Sequence, residues 1–431
     1  MNFRRIYQNF FIAALSRLLT ALIGLVIIGV LTRELGQTGY GAYETVLSYL
    51  FVFTVLADFG LHVVHVREIS RLPAEALPGL RSRSCFGGVG AQAGHGPEER
   101  FISGNIFTLR LVLVLLTVLA AALVAAFLPY PAEVKNGIII ASAFVVFSSL
   151  SQILAGIFQK HENFYFVSAS DLVSRLVQMA LVIWAAKNNH GMVSFLAILS
   201  LSAGLQFGII LSLSRRLVDF RLGIDWDYAK RILKSSLPIA LSILFTAIYI
   251  RTDALMLSLM KPAADVGIYR LPAKLLETLV FFPALLVELA MPSFSYLAFR
   301  AKDQFYAAYW KIFNFLLAIA VPVVALLYFF AEEVVVILGG SEFAASAGPL
   351  RILSLVIGLV FLNNLNGKVL ITLDLQKKGV IVYLSGAVLN IVLNFIFIPK
   401  YSYIGASLTT LVTEVIVTVW MFGILFREKT I

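Results

Sequence analysis

Apolar residues run along this chain in long unbroken stretches, at about 10–32, 42–66, 104–128, 136–158, 164–186 and 192–213, then 236–260, 265–292, 311–330, 346–371, 379–398 and 402–426. Each is close to the ~20 residues an α-helix needs to cross the ~30 Å hydrocarbon layer of a bilayer. The stretches show no two-residue alternation of the kind that marks short barrel strands, so the pattern predicts about twelve transmembrane helices. A helix satisfies its backbone hydrogen bonds within one segment, which lipid demands. The expected fold class is an all-α integral membrane protein.

The polar gaps divide the chain in two. A gap at 214–235 falls at the midpoint, and its Asp225-Trp226-Asp227-Tyr228-Ala229-Lys230-Arg231-Ile232-Leu233 suits an amphipathic interfacial helix. The expected organisation is a six-helix lobe at 1–213, a linker at 214–235 and a second six-helix lobe at 236–431. Gly41-Ala42-Tyr43 after the first helix is matched by Gly267-Ile268-Tyr269 after the seventh, 226 residues later, and internal symmetry of this kind is a mark of transporters. The loop at 77–100 differs from everything around it. It is Gly-rich, and its Cys85 and His95 lack the further ligands a metal site needs.

Composition agrees with a lipid-solvated chain: 60% of residues are hydrophobic and 13% are charged, and the mean hydropathy is +0.91. The net charge of +10 first suggests an anionic partner. Its distribution changes that reading. Of the 34 Lys and Arg residues, 21 fall in gaps on the side of the termini and five (Arg33, Lys135, Lys187, Lys261 and Lys400) in gaps on the opposite side. Cytoplasmic loops carry such an excess, so both termini are expected in the cytoplasm, and the basicity calls for no nucleic acid. The first apolar run, Phe10 to Thr32, is too long for the core of a cleavable signal peptide.

Eight cations remain in or at the edges of the helices: Arg17, Arg110, Arg175, Arg251, Arg270, Lys274, Arg351 and Lys368. A charge at bilayer depth costs roughly 2.5–3.5 kcal/mol on insertion scales, so each needs a partner, a wet cavity or a way to the interface. Arg110, Arg351 and Lys368 lie near predicted helix ends and are expected to snorkel. Arg17 shares a face with Thr20, Ala21, Gly24 and Ile28. Asp171 and Arg175 are four apart and can pair along one face that Gln178 extends, which is equally a self-satisfied structural pair. Arg251 and Asp253, two apart, face different ways. Ser242, Thr246, Tyr249 and Asp253 form a polar stripe, either cavity lining or interhelical glue. Arg270, Lys274 and Glu277 form another, in a segment where Pro272, Pro283 and Pro292 suggest kinks. Asn363, Asn364, Asn366, Asn390 and Asn394 favour interhelical hydrogen bonding, and Glu288 and Glu414 stand alone as acids. The candidate cavity residues are Arg17, Arg175, Arg251, Asp253, Arg270 and Lys274.

Several segments together resemble polysaccharide exporters of the oligosaccharide-flippase type. Leu31-Thr32-Arg33-Glu34-Leu35-Gly36-Gln37-Thr38-Gly39-Tyr40-Gly41 is similar to their first external loop. Asp58-Phe59-Gly60-Leu61 with Val66-Arg67-Glu68-Ile69 is similar to the end of their second helix. Ser236-Leu237-Pro238, Tyr249-Ile250-Arg251-Thr252-Asp253 and Val266-Gly267-Ile268-Tyr269 resemble the start of their second lobe. The family belongs to the multidrug/oligosaccharidyl-lipid/polysaccharide exporter superfamily. The resemblance implies two lobes around a central cavity, alternating access in a prokaryotic cytoplasmic membrane, and a polyprenyl-diphosphate-linked oligosaccharide as cargo. It also implies H⁺ or Na⁺ coupling, with glycosyltransferases and a polysaccharide polymerase as partners. The Gly-rich loop departs from the family pattern.

Two other readings are weaker. A drug exporter for organic cations would want an acidic cavity, whereas the in-helix surplus here is basic. A multispanning glycan polymerase or glycosyltransferase needs a large external loop, and every external gap is short. The chain carries no nucleophile elbow, metal-binding His cluster or Walker loop, so no enzyme chemistry and no cofactor are expected.

Overall fold

The computed structural model describes the backbone of residues 3–72, 97–161, 163 and 165–427, and every regular element among them is helical. The first half contains α1 (Phe3–Asp58), α2 (Leu61–Arg71), α3 (Pro97–Phe127), α4 (Ala132–Lys160), α5 (Tyr165–Lys187) and α6 (Met192–Leu217). The second contains α7 (Trp226–Met260), α8 (Ala263–Leu279), α9 (Phe281–Arg300), α10 (Lys302–Phe329), α11 (Ala331–Gly339), a 3₁₀ turn at Ser341–Ser346, α12 (Ala347–Thr372) and α13 (Gln376–Arg427).

These elements make twelve crossings. Eight stretches among the described residues are long and apolar enough to span a membrane, and two of them hold two arms each. One pair is α1, broken where Gly36 takes φ 62°, a conformation glycine adopts without steric cost. The other is α13, broken at Ser402. The helix α7 and the α8–α9 pair complete the set.

Local chemistry moved several predicted boundaries. The stretch 265–292 is two helices rather than one: α8 stops at Leu279 because Pro283 has no N–H to donate to the Leu279 carbonyl. Pro272 sits inside α8 without interrupting it. The helix α3 starts at Pro97, with Glu98 and Glu99 in its first turn, instead of at residue 104. The rest of the 77–100 loop, Cys85 and His95 included, lies outside the described residues.

The 214–235 linker is not a separate interfacial helix. Residues 226–235 are the first turns of α7, whose N-terminus is capped by the Asp225 carboxylate accepting from the N–H groups of Asp227 and Tyr228 at 3.0 and 2.9 Å. The linker is held to the first lobe. Gly223 N–H donates to Thr108 Oγ1 at 3.1 Å and Asp225 N–H donates to Asn105 Oδ1. Tyr228, Ala229 and Ile232 are buried with Phe107, Leu109 and Phe158.

Arg110 corrects the expectation of snorkelling. It is fully buried, donating to Asp58 Oδ1 at 2.6 Å, to the Ala57 carbonyl at 2.8 Å and to Gln152 Oε1 at 3.1 Å. Asp58 and Ala57 close the last turn of α1 before Phe59 and Gly60 take positive φ, so Arg110 fastens α3 to a helix break. Arg351, by contrast, is exposed.

The two lobes pack against each other at one end. There a single apolar cluster contains Leu31, Tyr40 and Tyr43 from the first half and Leu271, Val335, Phe343 and Leu350 from the second. A separate cluster of α9, α10, α12 and α13 residues belongs to the second lobe alone.

Candidate functional site

Below that junction lies a cavity of about 660 Å³ between the lobes. One wall is the face predicted around Arg17: Thr20, Ala21, Gly24 and Ile28 all line it. The C-terminal arm of α1 adds Tyr40, Tyr43, Glu44, Phe51 and Thr54, and α4, α5 and α6 add Gln152, Gln178 and Gln206. The second half supplies Arg251 from α7 and Lys274 and Thr278 from α8. Three cations therefore face the cavity (Arg175, Arg251 and Lys274) against one carboxylate, Glu44.

That carboxylate is already engaged. Arg270 is fully buried between Glu44 and Glu277, with Nε 2.8 Å from Glu44 and Nη1 3.1 Å from Glu277. Glu277 also takes Arg251 at 2.9 Å and Lys274 at 3.4 Å, so two acids serve three cations. Arg251 also lies over the Phe51 ring, 4.7 Å from its centroid, a cation–π contact across the two halves. Arg175 donates to Gln178 at 3.1 Å and keeps only a 4.0 Å contact with Asp171.

The other candidates lie elsewhere. Arg270 does not line the cavity; it is a lobe-to-lobe tie. Arg17 is exposed at the seam between α1 and α9, its guanidinium 5.7 Å from the Phe281 ring centroid, one turn from the cavity wall. Asp253 is not a cavity residue either. It is buried within the second lobe, accepting from Tyr269 at 2.9 Å, from Thr410 at 2.7 Å and from Asn394. Tyr249 turns away from the cavity to donate to Glu414, which also accepts from Asn363 at 2.8 Å. Asn366 accepts from Tyr309 at 2.8 Å, so these amides serve interhelical bonding. The Ser242 and Thr246 side chains lie outside the described residues. Among the described residues no group of three His, Cys, Asp or Glu side chains could hold a metal ion.

The end of the cavity nearest Gly36 is sealed. Thr32 and Arg33 donate to the carbonyls of Leu338 and Ile337 at 3.3 and 2.8 Å, and Gln37 donates to the Glu342 carbonyl. Tyr40 meets Phe343 edge-on at 5.9 Å.

A family model described as polysaccharide biosynthesis protein matches residues 6–298, about two thirds of the chain. The chain belongs to the polysaccharide biosynthesis protein family. A second model, MatE, matches residues 238–396. Among curated proteins, an uncharacterized membrane protein of Methanocaldococcus jannaschii, MJ1068, is 28% identical over 119 residues; the match spans 28% of this chain and 23% of that protein. Among solved structures, the lipid II flippase MurJ in an inward closed conformation superposes with a TM-score of 0.77 at 16% identity, over 97% of this chain and 88% of that one. An inward-facing multidrug resistance MATE family transporter gives 0.69 at 13% identity, over 97% and 99%. A MOP superfamily transporter from Pyrococcus furiosus gives 0.63 at 13%, over 98% and 96%. The fold of this family member is therefore the twelve-helix fold of these MOP-superfamily structures.

Glu44 is the charged cavity residue that composition and spacing passed over. A signal for it was present. It follows Tyr43 as Arg270 follows Tyr269, so the two members of the buried pair occupy the same step of the internal repeat.

Proposed function

We propose that this protein carries a polyprenyl-diphosphate-linked oligosaccharide from the cytoplasmic to the external leaflet by alternating access, as a step in making a surface polysaccharide. The observation that supports this most is the sign of the cavity. Arg175, Arg251 and Lys274 line it, and together with Arg270 they outnumber by one the acids that pair with them, Glu44, Glu277 and Asp171. A diphosphate carries about two negative charges, and taking them bare into hydrocarbon would cost tens of kcal/mol. Arg251 still has a buried Nε without a hydrogen-bond partner, a donor suited to a phosphate oxygen. The glutamine, serine and threonine lining is suited to sugar hydroxyls, and the volume is in the usual range for a small-molecule site. The polyprenyl chain stays in lipid and leaves through the seam that Arg17 borders. The excess of cations on one side supports a cytoplasmic position for both termini.

Neutralising Arg175, Arg251 or Lys274 with glutamine should each slow flipping about tenfold to a hundredfold, the worth of one charge-assisted hydrogen bond. Proteoliposomes holding a fluorescent polyprenyl-diphosphate sugar measure this directly. Arg17→Ala is expected to abolish surface-glycan export while membrane insertion persists. Wild-type flipping in all four variants, with efflux of a cationic dye, would favour a drug exporter instead.

For ion coupling we propose Asp253. Its carboxylate sits among Asn390, Asn394, Thr410 and Tyr269, with no cation within pairing distance among the described residues and with Asn394 Oδ1 lacking a partner. This oxygen-rich nest suits a proton or a sodium ion. Asp253→Asn should leave the fold intact and remove the dependence of flipping on an imposed H⁺ or Na⁺ gradient; a variant that still responds to either gradient would exclude this site.

A further inference from the structure

A second concave site lies at the end of the molecule read as cytoplasmic. It encloses about 800 Å³ between α2, α3 and the first turns of α7, and it shares no residue with the interlobe cavity. Three guanidinium groups border it: Arg67, Arg71 and Arg231. Glu68 takes the first two at 3.3 and 3.5 Å, and Glu98 is the other acid of the groove. Arg231 pairs with no carboxylate among the described residues; its guanidinium rests 5.2 Å from the centroid of the Tyr228 ring. The groove thus holds a net positive charge, concentrated at Arg231.

Its floor carries an unspent donor. Tyr228 is only 8% exposed, and its hydroxyl has no hydrogen-bond partner. A buried polar group left unmatched is destabilising, so a ligand that accepts from it is favoured. Burial, and after it the neighbouring Glu68 carboxylate, push this phenol up to about 12, so it keeps its proton and can donate. The packing that buries Tyr228 is firm, because Ala229 and Ile232 join the first lobe's apolar cluster and Asp225 caps the helix. Guanidinium groups and a phenol lining one space at a membrane edge suit a compact anion with several acceptor oxygens.

We propose that this groove binds a phosphoryl group, held by Arg231 and Arg71 and accepting from Tyr228. Phe101, 46% exposed at the rim, would sit against the apolar part of a lipid carrying that group. The same chemistry comes from two sources, the phosphodiester of an anionic phospholipid or a soluble phosphate. The site is independent of the cavity and stands whatever cargo the cavity carries.

Native mass spectrometry of the purified, delipidated full chain tests this. The probes are phosphatidylglycerol, phosphatidylcholine as the zwitterionic control, and inorganic pyrophosphate. Arg231→Gln and Tyr228→Phe should each weaken the retained ligand by about tenfold, the worth of one such hydrogen bond, while Arg216→Gln, a cation outside the groove, should leave it unchanged. Tyr228→Phe removes only an oxygen that has no partner in the fold, so folding is not at risk. Groove-dependent binding of phosphatidylglycerol alone identifies the lipid, and of pyrophosphate alone the soluble anion. If neither probe's binding falls in the groove variants, or if it falls equally in Arg216→Gln, the groove is not a phosphoryl site.

Discussion

Replacing Arg270 with glutamine is expected to abolish transport and to lower stability by roughly 3–5 kcal/mol, the usual result of stripping one partner from a buried ion pair. Arg270 is enclosed on every side, and its removal leaves Glu44 with no counter-charge at 2.8 Å. Glu277 is less affected, since Arg251 and Lys274 still reach it. Glu44→Gln should therefore be milder than Arg270→Gln, because Arg270 keeps Glu277. The double variant Glu44→Gln, Arg270→Gln should regain most of the stability lost by Arg270→Gln alone, since no uncompensated charge remains. Thermal unfolding in detergent, run as a double-mutant cycle, measures the coupling. Simple additivity would mean that the pair does not act as one unit. Flipping by the double variant separates two roles: recovered stability without recovered flipping would assign the pair to the conformational cycle rather than to the fold.

The twelve crossings were legible because lipid imposes a length and a polarity on each one, and both are written locally in the chain. The halving of the chain was legible too, through Gly41-Ala42-Tyr43 and Gly267-Ile268-Tyr269. The pattern did not reveal partner choice. Arg110 lies near the start of a predicted span, so depth along one helix placed it at the interface; Asp58, at a break in another helix, decides its burial. Asp253 and Arg251 were correctly separated by the helical period, yet both were counted as cavity residues, and period alone does not say which face meets a lobe interior. Arg270 and Lys274 share a stripe, but only Lys274 reaches the cavity. The break in α8 needed the carbonyl that Pro283 leaves unbonded, a local cue for a kink whose position the apolar run conceals. Three of the six candidates, Arg175, Arg251 and Lys274, line the cavity. The other three mark a seam, a lobe-to-lobe tie and a buried acid.

The seal above the cavity rests on close glycine approaches as well as on hydrogen bonds. A Cβ on Gly41 would lie 1.7 Å from the Ala263 carbonyl oxygen, and one on Gly267 would lie 2.3 Å from the Gln37 carbonyl oxygen. Residues 37 and 263, like 41 and 267, are 226 apart, so the two contacts are the same contact repeated by the internal symmetry. Small residues let helix backbones touch where lipid offers no hydrophobic drive between helices. Backbone oxygens cannot swing aside as a side chain can, so Gly41→Ala has to push the C-terminal arm of α1 away from α8. The closed end should then fail to close, and a single added methyl should halt the cycle. Gly423→Ala, where a Cβ meets nothing within 4 Å, is the matched control and should flip normally. Labels at Arg33→Cys and Ile337→Cys, in a Cys85→Ser background, span the seal where Arg33 now donates to the Ile337 carbonyl at 2.8 Å. Pulsed electron resonance should show a longer label-to-label distance in Gly41→Ala and no change in Gly423→Ala. An unchanged distance together with normal flipping would show that the helices need no such approach, and the gate would have to be sought in the Glu44–Arg270 pair alone.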